Sequence, residues 1–133
     1  MCAHETYLAR RGEPSDPHDL LGHDLIGQDR GDDFIRGFRA FGADIDRHTF
    51  RFRTDNQVIM WQALMAGVGI GIAQLPLITR EPKLKTFLPD LPLPVLPVWV
   101  TMHKDVRLAP RIRRTADYLH AALSAFARSA DAA

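Results

Sequence analysis

The chain has 133 residues, of which 46% are hydrophobic and 25% charged, and its formal net charge is +1. This composition is typical of one soluble globular domain, and it excludes a disordered chain or one drawn to nucleic acid by a strongly basic surface. No apolar run approaches the ~18 residues of a membrane span, and the first residues lack the apolar core of a signal peptide. We therefore expect a cytoplasmic protein without membrane contact, whose single cysteine, Cys2, lies at a flexible end.

The first twenty residues are predicted to form a connector or a lid. The sequence indicates short helical segments over residues 5–11 and 18–21, separated by a turn-rich loop over residues 13–17. Gly12 lies where the first of these segments is expected to end.

A short strand and a helix are predicted next. An apolar pair within residues 23–28 indicates the strand, and residues 29–31 form the loop that leaves it. Asp32 or Asp33 then caps a helix that Gly42 ends. The apolar positions of this helix fall on one face and are Phe34, Ile35, Phe38 and Phe41.

The clearest pattern in the chain lies in residues 50–76, which predict a strand, a helix and a second strand. Apolar and charged residues alternate from Phe50 to Arg53, which is the period of a half-buried strand. Thr54 or Asp55 offers a side-chain oxygen to cap the helix over residues 56–66. Because apolar side chains surround much of this helix, we expect it to be buried on much of its circumference.

Three glycines follow this helix at alternate positions, Gly67, Gly69 and Gly71. In a dinucleotide-binding loop the glycines leave a strand and open a helix, whereas here they leave a helix and open an apolar strand over residues 69–73. We therefore predict that Gly67 ends the helix in the left-handed conformation and that the later glycines serve the tight packing of an interior strand.

The last third of the chain predicts several short elements and one long helix. A turn or short helix over residues 77–82 and an edge strand over residues 84–88 precede a proline-rich extended crossing over residues 89–97. A strand over residues 97–103 and a helix from Pro110 complete the chain. The apolar stripe of this helix consists of Ile112, Ala116, Leu119, Leu123 and Phe126.

Two successive strand-and-helix units predict an α/β sheet with helices on its faces. Ligands of such sheets bind at loop ends and helix N-termini, where backbone N–H groups are free. Here the two helices begin at Asp32 and at Asp55, so a small anion could lie at this loop end.

Five segments also occur in the order and approximate spacing of a known family. They are Tyr7-Leu8-Ala9-Arg10-Arg11-Gly12-Glu13-Pro14, Pro17-His18-Asp19-Leu20 with His23, Ala66-Gly67-Val68-Gly69-Ile70-Gly71, Val98-Trp99-Val100 with His103, and Leu108-Ala109-Pro110-Arg111-Ile112-Arg113. Together they resemble the effector-binding domain of LysR-type transcriptional regulators, and the resemblance spans nearly the whole chain.

This resemblance implies a periplasmic-binding-protein-like sensor of type 2, in which two α/β subdomains hold a small effector in the cleft between them. It assigns residues 7–89 to the second subdomain, residues 90–97 to the hinge crossing, and residues 98–128 to the returning strand and helix of the first. The winged helix-turn-helix, its linker helix and most of the first subdomain are expected to be missing. DNA is then reached only through a domain absent from this chain, and the intact protein is expected to be a homo-oligomer.

The apolar stripe of the final helix would cover the missing subdomain in such a protein. In this chain it is expected to fold onto the remaining body, to pair with another chain, or to stay exposed.

The resemblance also places the loop of residues 29–34 and the start of the helix at Asp55 on the wall of the cleft. Gly31 or Asp32, together with Asp55 or Asn56, are therefore candidate effector-binding residues. Asp32 and Asp55 could instead already cap the N–H groups, which would repel an anion and favour a polar neutral or cationic ligand. A purely structural capping role for these residues is the remaining alternative.

The sequence offers no set of catalytic or metal-binding residues. None of its three serines lies in a G-x-S-x-G elbow, and its six histidines are scattered without the spacing of a metal site. We therefore predict no reaction, no metal and no cofactor. The alternative functions are a solute-binding protein fragment of a transporter and a small α/β enzyme.

Overall fold

The computed structural model describes residues 1–40, 42–91, 93, 97–106 and 108–129. The chain divides into two compact units, Met1–Pro94 and Val95–Ala133.

The first unit alternates short strands with helices. Its strands are β1 (Cys2–His4), β2 (Leu25–Gly27), β3 (Phe50–Arg53) and β4 (Leu84–Thr86). Its α-helices are α1 (Glu5–Arg11), α2 (Asp33–Ala40), α3 (Gln57–Met65) and α4 (Leu75–Ile78), and 3₁₀ helices span Pro17–Gly22 and Arg47–Thr49.

A mixed sheet runs through this unit. Strand β2 pairs in parallel with β3, and β1 pairs antiparallel with β4. Ile70 and Gly71 join these two pairs, because Ile70 bridges to Leu25 of β2 and Gly71 bridges to Cys2 of β1. The interior strand predicted over residues 69–73 is not formed at that length, because only Ile70 and Gly71 pair, each through one isolated bridge.

Both faces of the sheet are covered by apolar side chains. Leu25 belongs to one buried cluster, with Tyr7 of α1 and Phe38 of α2. Ile26 belongs to a second, with Leu64 of α3. Since successive residues of a strand point to opposite faces, α1 and α2 lie on one face and α3 on the other. This three-layer arrangement confirms the predicted α/β class.

The start of the chain is part of the core, so the predicted connector or lid is wrong. Cys2 is completely buried in β1 and is not at a flexible end. Tyr7 of α1 and Leu20 of the first 3₁₀ helix are also almost completely buried. A three-residue strand is too short to show an alternating pattern in the sequence, and its pairing depends on the distant β4.

The helix of the central stretch is buried on one side only. Met60 and Leu64 of α3 are buried, whereas Val58 is 69% exposed and Ile59 is 48% exposed. The expectation of burial around much of its circumference is therefore wrong. Gly67 has a φ of +66°, which confirms the predicted left-handed end of the helix.

The second unit contains one long helix, α5 (Pro110–Arg128), which confirms the predicted final helix. None of its residues is buried. Residues 97–103 form no strand, so the strand predicted there is wrong; a β-strand requires a neighbour that pairs with its backbone. Much of the predicted proline-rich crossing, and Phe41 on the predicted face of α2, lie outside the described residues.

Candidate functional site

The loops that follow β2 and β3 leave the same edge of the sheet. The two strands are parallel neighbours that end at Gly27 and Arg53, so their carboxyl ends coincide. The N–H of Thr54 donates to the carbonyl of Gly27 at 3.0 Å, which continues the pairing by one step beyond β3. The loop of residues 28–32 and the loop of residues 54–56 are therefore held side by side.

The carboxylate of Asp55 binds the backbone of the neighbouring loop. Its Oδ1 accepts from the N–H of Asp29 at 3.0 Å and from the N–H of Arg30 at 3.1 Å, and its Oδ2 lies 3.2 Å from the N–H of Arg30. Asp55 thus connects the loop after β2 to the start of α3. Sequence reasoning missed this contact, because the partners are 25 and 26 residues away in the chain.

These N–H groups lower the pKa of the Asp55 carboxyl group. The N–H of Arg30 has the largest effect and, with the N–H groups of Asp29 and Gly31 and the charge of Arg30, holds the pKa of Asp55 below its ordinary value. Partial desolvation opposes this shift. Asp55 therefore stays ionised at neutral pH and behaves as an anion bound to the loop.

The cap of α3 is Asn56, and the prediction that Thr54 or Asp55 caps this helix is wrong. The Oδ1 of Asn56 accepts from the N–H of Val58 at 2.9 Å and from that of Ile59 at 3.1 Å. All three residues have cap-forming side chains, so propensity alone does not choose among them. The tertiary contact of Asp55 with the adjacent loop decides the choice.

At the start of α2 the two carboxylates pair with one arginine. Asp32 lies 2.8 Å from a guanidinium nitrogen of Arg36, and Asp33 also binds Arg36. The carbonyl of Asp32 accepts the N–H of Arg36 at 2.8 Å, so Asp32 occupies the N-cap position and α2 begins with Asp33. These side chains are half exposed or more, so the pairs contribute little to stability.

The side chain of Gln28 lies against Gly31 of the same loop. A β-carbon on Gly31 would lie 2.8 Å from the end of the Gln28 side chain, so this side chain folds back over Gly31. The Oε1 of Gln28 is buried and has no hydrogen-bond partner among the described residues. An unpaired buried amide oxygen costs about 1–3 kcal/mol, and a ligand that donates a hydrogen bond would recover part of this energy. Nothing in the sequence distinguished Gln28 from an ordinary polar residue.

The structure thus places the four candidate residues on two adjoining loops. The N–H of Gly31 contributes to the lowered pKa of Asp55, the side chain of Asn56 caps α3, and Asp32 pairs with Arg36. Within the described ranges, no group of three or more His, Cys, Asp and Glu residues could hold a metal ion.

A comparison with protein families identifies the domain. The model of the LysR substrate binding domain matches residues 1–124. The chain belongs to this family. Comparisons with curated proteins and with solved structures found no match.

Membership of the LysR substrate-binding family confirms the resemblance seen in the sequence. It implies a periplasmic-binding-protein-like fold and a role in transcription regulation through a small-molecule effector, and the α/β sheet of the first unit agrees with that fold. No helix in the described part of this LysR substrate-binding domain is long and apolar enough to cross a membrane.

Proposed function

We propose that this chain senses a small-molecule effector for a LysR-type regulator and that the effector contacts the loops after β2 and β3. The observation that carries the proposal is the contact of the Asp55 carboxylate with the N–H groups of Asp29 and Arg30. It joins the two loops at the carboxyl edge of a parallel strand pair, where ligands of α/β sheets bind. A ligand that contacts one loop therefore acts on both.

The effector acts by favouring one arrangement of the domain over another. Such a shift can be no larger than the difference between its affinities for the two arrangements. In the intact regulator, which we expect to be a homo-oligomer, this shift would be passed to a winged helix-turn-helix that binds DNA. The family match favours this role over a transporter's solute-binding protein and over a small α/β enzyme.

Ligand screening by thermal shift and amide NMR tests the proposal. The chain is screened against small organic acids, aromatic compounds and amino acids, and a hit is expected to raise Tm by mass action. The same hit should shift the amide signals of residues 28–32 and 54–56. Hits whose shifts fall only elsewhere in the first unit would refute the assignment of the site.

A pair of glycine variants gives a matched control. In Gly31→Ala the new β-carbon displaces the Gln28 side chain, and the affinity for a hit is expected to fall about tenfold, equivalent to ~1.4 kcal/mol. In Gly22→Ala the β-carbon meets no atom within 4 Å, so affinity should remain unchanged. Equal affinities of the two variants would contradict contact with this loop.

A further inference from the structure

Two backbone donors of the loop of residues 28–32 already bind a side chain of the protein. The N–H groups of Asp29 and Arg30 donate to the carboxylate of Asp55, and the next N–H, that of Gly31, also lowers the pKa of this carboxyl group. Consecutive N–H groups that converge in this way form a small anion-binding nest. In this chain, the anion in the nest is a side chain of the protein itself.

Two hydrogen-bond acceptors of the loop of residues 28–32 lie near the nest. The Oε1 of Gln28 is buried without a partner among the described residues, and the half-exposed carboxylate of Asp32 can accept further bonds. The N–H groups of Val58 and Ile59 at the start of α3 are bound to Asn56. A ligand would therefore find acceptors on the loop of residues 28–32, whereas the N–H groups of Asp29 and Arg30 and those capped by Asn56 are occupied.

The charges around the nest also do not favour an anionic ligand. The Arg53 guanidinium lies 3.7 Å from the carboxylate of Asp29 and donates to the carbonyl of Arg47 at 3.2 Å. Arg36 is paired with two carboxylates. The ionisable groups of the two loops and of the residues paired with them are Asp29, Arg30, Asp32, Asp33, Arg36, Arg53 and Asp55. Four are anionic and three cationic, so the local balance does not favour an added anion.

We propose that Asp55 determines the class of ligand, because it fills the nest of residues 29–31 and leaves a site for a neutral or cationic hydrogen-bond donor. A ligand that presents a carboxylate at this position must displace Asp55 and is rejected. This inference rests on the proposed function, since it assumes that the effector contacts these loops.

Acetate and acetamide test the inference, since acetate matches the Asp55 side chain and acetamide is its neutral isostere with N–H donors. At constant ionic strength in chloride, acetate should cause no saturable shift of the amides of residues 29–31 in the wild-type chain. In Asp55→Ala the nest is empty, and acetate should shift the same three amides with one shared, saturable curve. Asp55→Asn keeps an oxygen in the nest without its charge and should respond less than Asp55→Ala.

The predicted preference for a ligand that donates hydrogen bonds is tested on the wild-type chain. Acetamide should shift the side-chain amide of Gln28 more than acetate does. The opposite order, or a wild-type response to acetate equal to that of Asp55→Ala, would overturn the proposal.

Two controls keep the experiment decisive. Asp46→Ala removes another exposed carboxylate that accepts backbone N–H groups, those of His48 and Thr49, and should leave the amides of residues 29–31 insensitive to acetate. If Asp55→Ala broadens these three signals, added acetate should restore them, and failure to restore them contradicts the inference.

The acetate experiment and the test of the proposed function can fail separately. Acetate binding to the variant reports on the nest alone, whereas effector binding is measured by screening the wild-type chain. The variant could respond to acetate as expected while no effector binds at these loops. That outcome would refute the proposed function and would still support an anion-binding nest at residues 29–31.

Discussion

The backbone carbonyl oxygen of Asp24 lies closer than 3.0 Å to the position that a β-carbon would take on Gly69. The same carbonyl accepts the N–H of Ile70 at 2.8 Å, which joins the two halves of the sheet. Only a glycine at position 69 allows this approach, because a backbone carbonyl cannot move aside without breaking the pairing.

Gly69→Ala is therefore expected to lower the free energy of unfolding by about 1–3 kcal/mol, the usual cost of overpacking. Gly71→Ala is the matched control, since its β-carbon would make only ordinary contacts, the nearest at 3.5 Å from Leu64. Urea unfolding followed by circular dichroism measures both. Equal losses in the two variants would show that the approach to Asp24 is not the cause.

The helix cap at Asn56 gives a second prediction. Asn56→Ala leaves the N–H groups of Val58 and Ile59 without their acceptor and should cost ~1 kcal/mol of stability. Asn56→Asp keeps an acceptor at the cap and should cost much less. If Asp55 were the cap, as its position in the sequence suggested, the alanine variant at position 56 would be nearly neutral.

The buried hydroxyl of Tyr7 gives a third prediction. It accepts the N–H of Asp24 at 2.8 Å and lies 3.2 Å from Nδ1 of His23. Tyr7→Phe leaves a backbone donor unpaired, so the free energy of unfolding should fall by about 1–3 kcal/mol. Tyr118→Phe, at a side chain that is 72% exposed, should change it by less than about 0.5 kcal/mol. A thermal or urea denaturation series compares the two.

The thiol of Cys2 should be unreactive in the folded chain. Burial raises the pKa of Cys2 from 9.0 to about 11, and the side chain is completely enclosed. At pH 8 a thiol reagent such as DTNB should react at least ~10-fold more slowly with the native protein than with the chain in urea. A native rate equal to the denatured rate would place Cys2 at the surface.

The same shift predicts how stability depends on alkaline pH. The unfolded thiol ionises before the folded one, so stability should fall as pH rises from 9 towards 11. Cys2→Ala should flatten this part of the profile, and an unchanged slope in that variant would assign the effect to other groups.

Asp55 predicts an opposite dependence in acid. Its pKa is lower in the folded chain, so its contribution to stability is present above the unfolded pKa and is lost as pH falls through the folded pKa. The carboxyl carbon of Asp55 should titrate by NMR below the ordinary range of aspartate, and the amides of Asp29 and Arg30 should shift with the same midpoint. A normal midpoint, or amides that do not follow it, would contradict the contact.

The sequence by itself determined the features that depend on nearby residues. The alternation from Phe50 to Arg53, the left-handed end at Gly67 and the stripe of α5 follow from local periodicity and from the freedom of glycine, so these elements were predicted correctly. The family was also recognisable, because five motifs keep their order along the chain.

Only the tertiary structure decided the features that depend on distant partners. Strand β1 exists because Cys2 pairs with Gly71 and Thr86, and these residues are far away in the chain. Asp55 binds a loop about 25 residues away, which leaves the cap of α3 to Asn56. Side-chain propensity limits which residues can form such contacts, whereas the pairing of β2 with β3 brings the partners together.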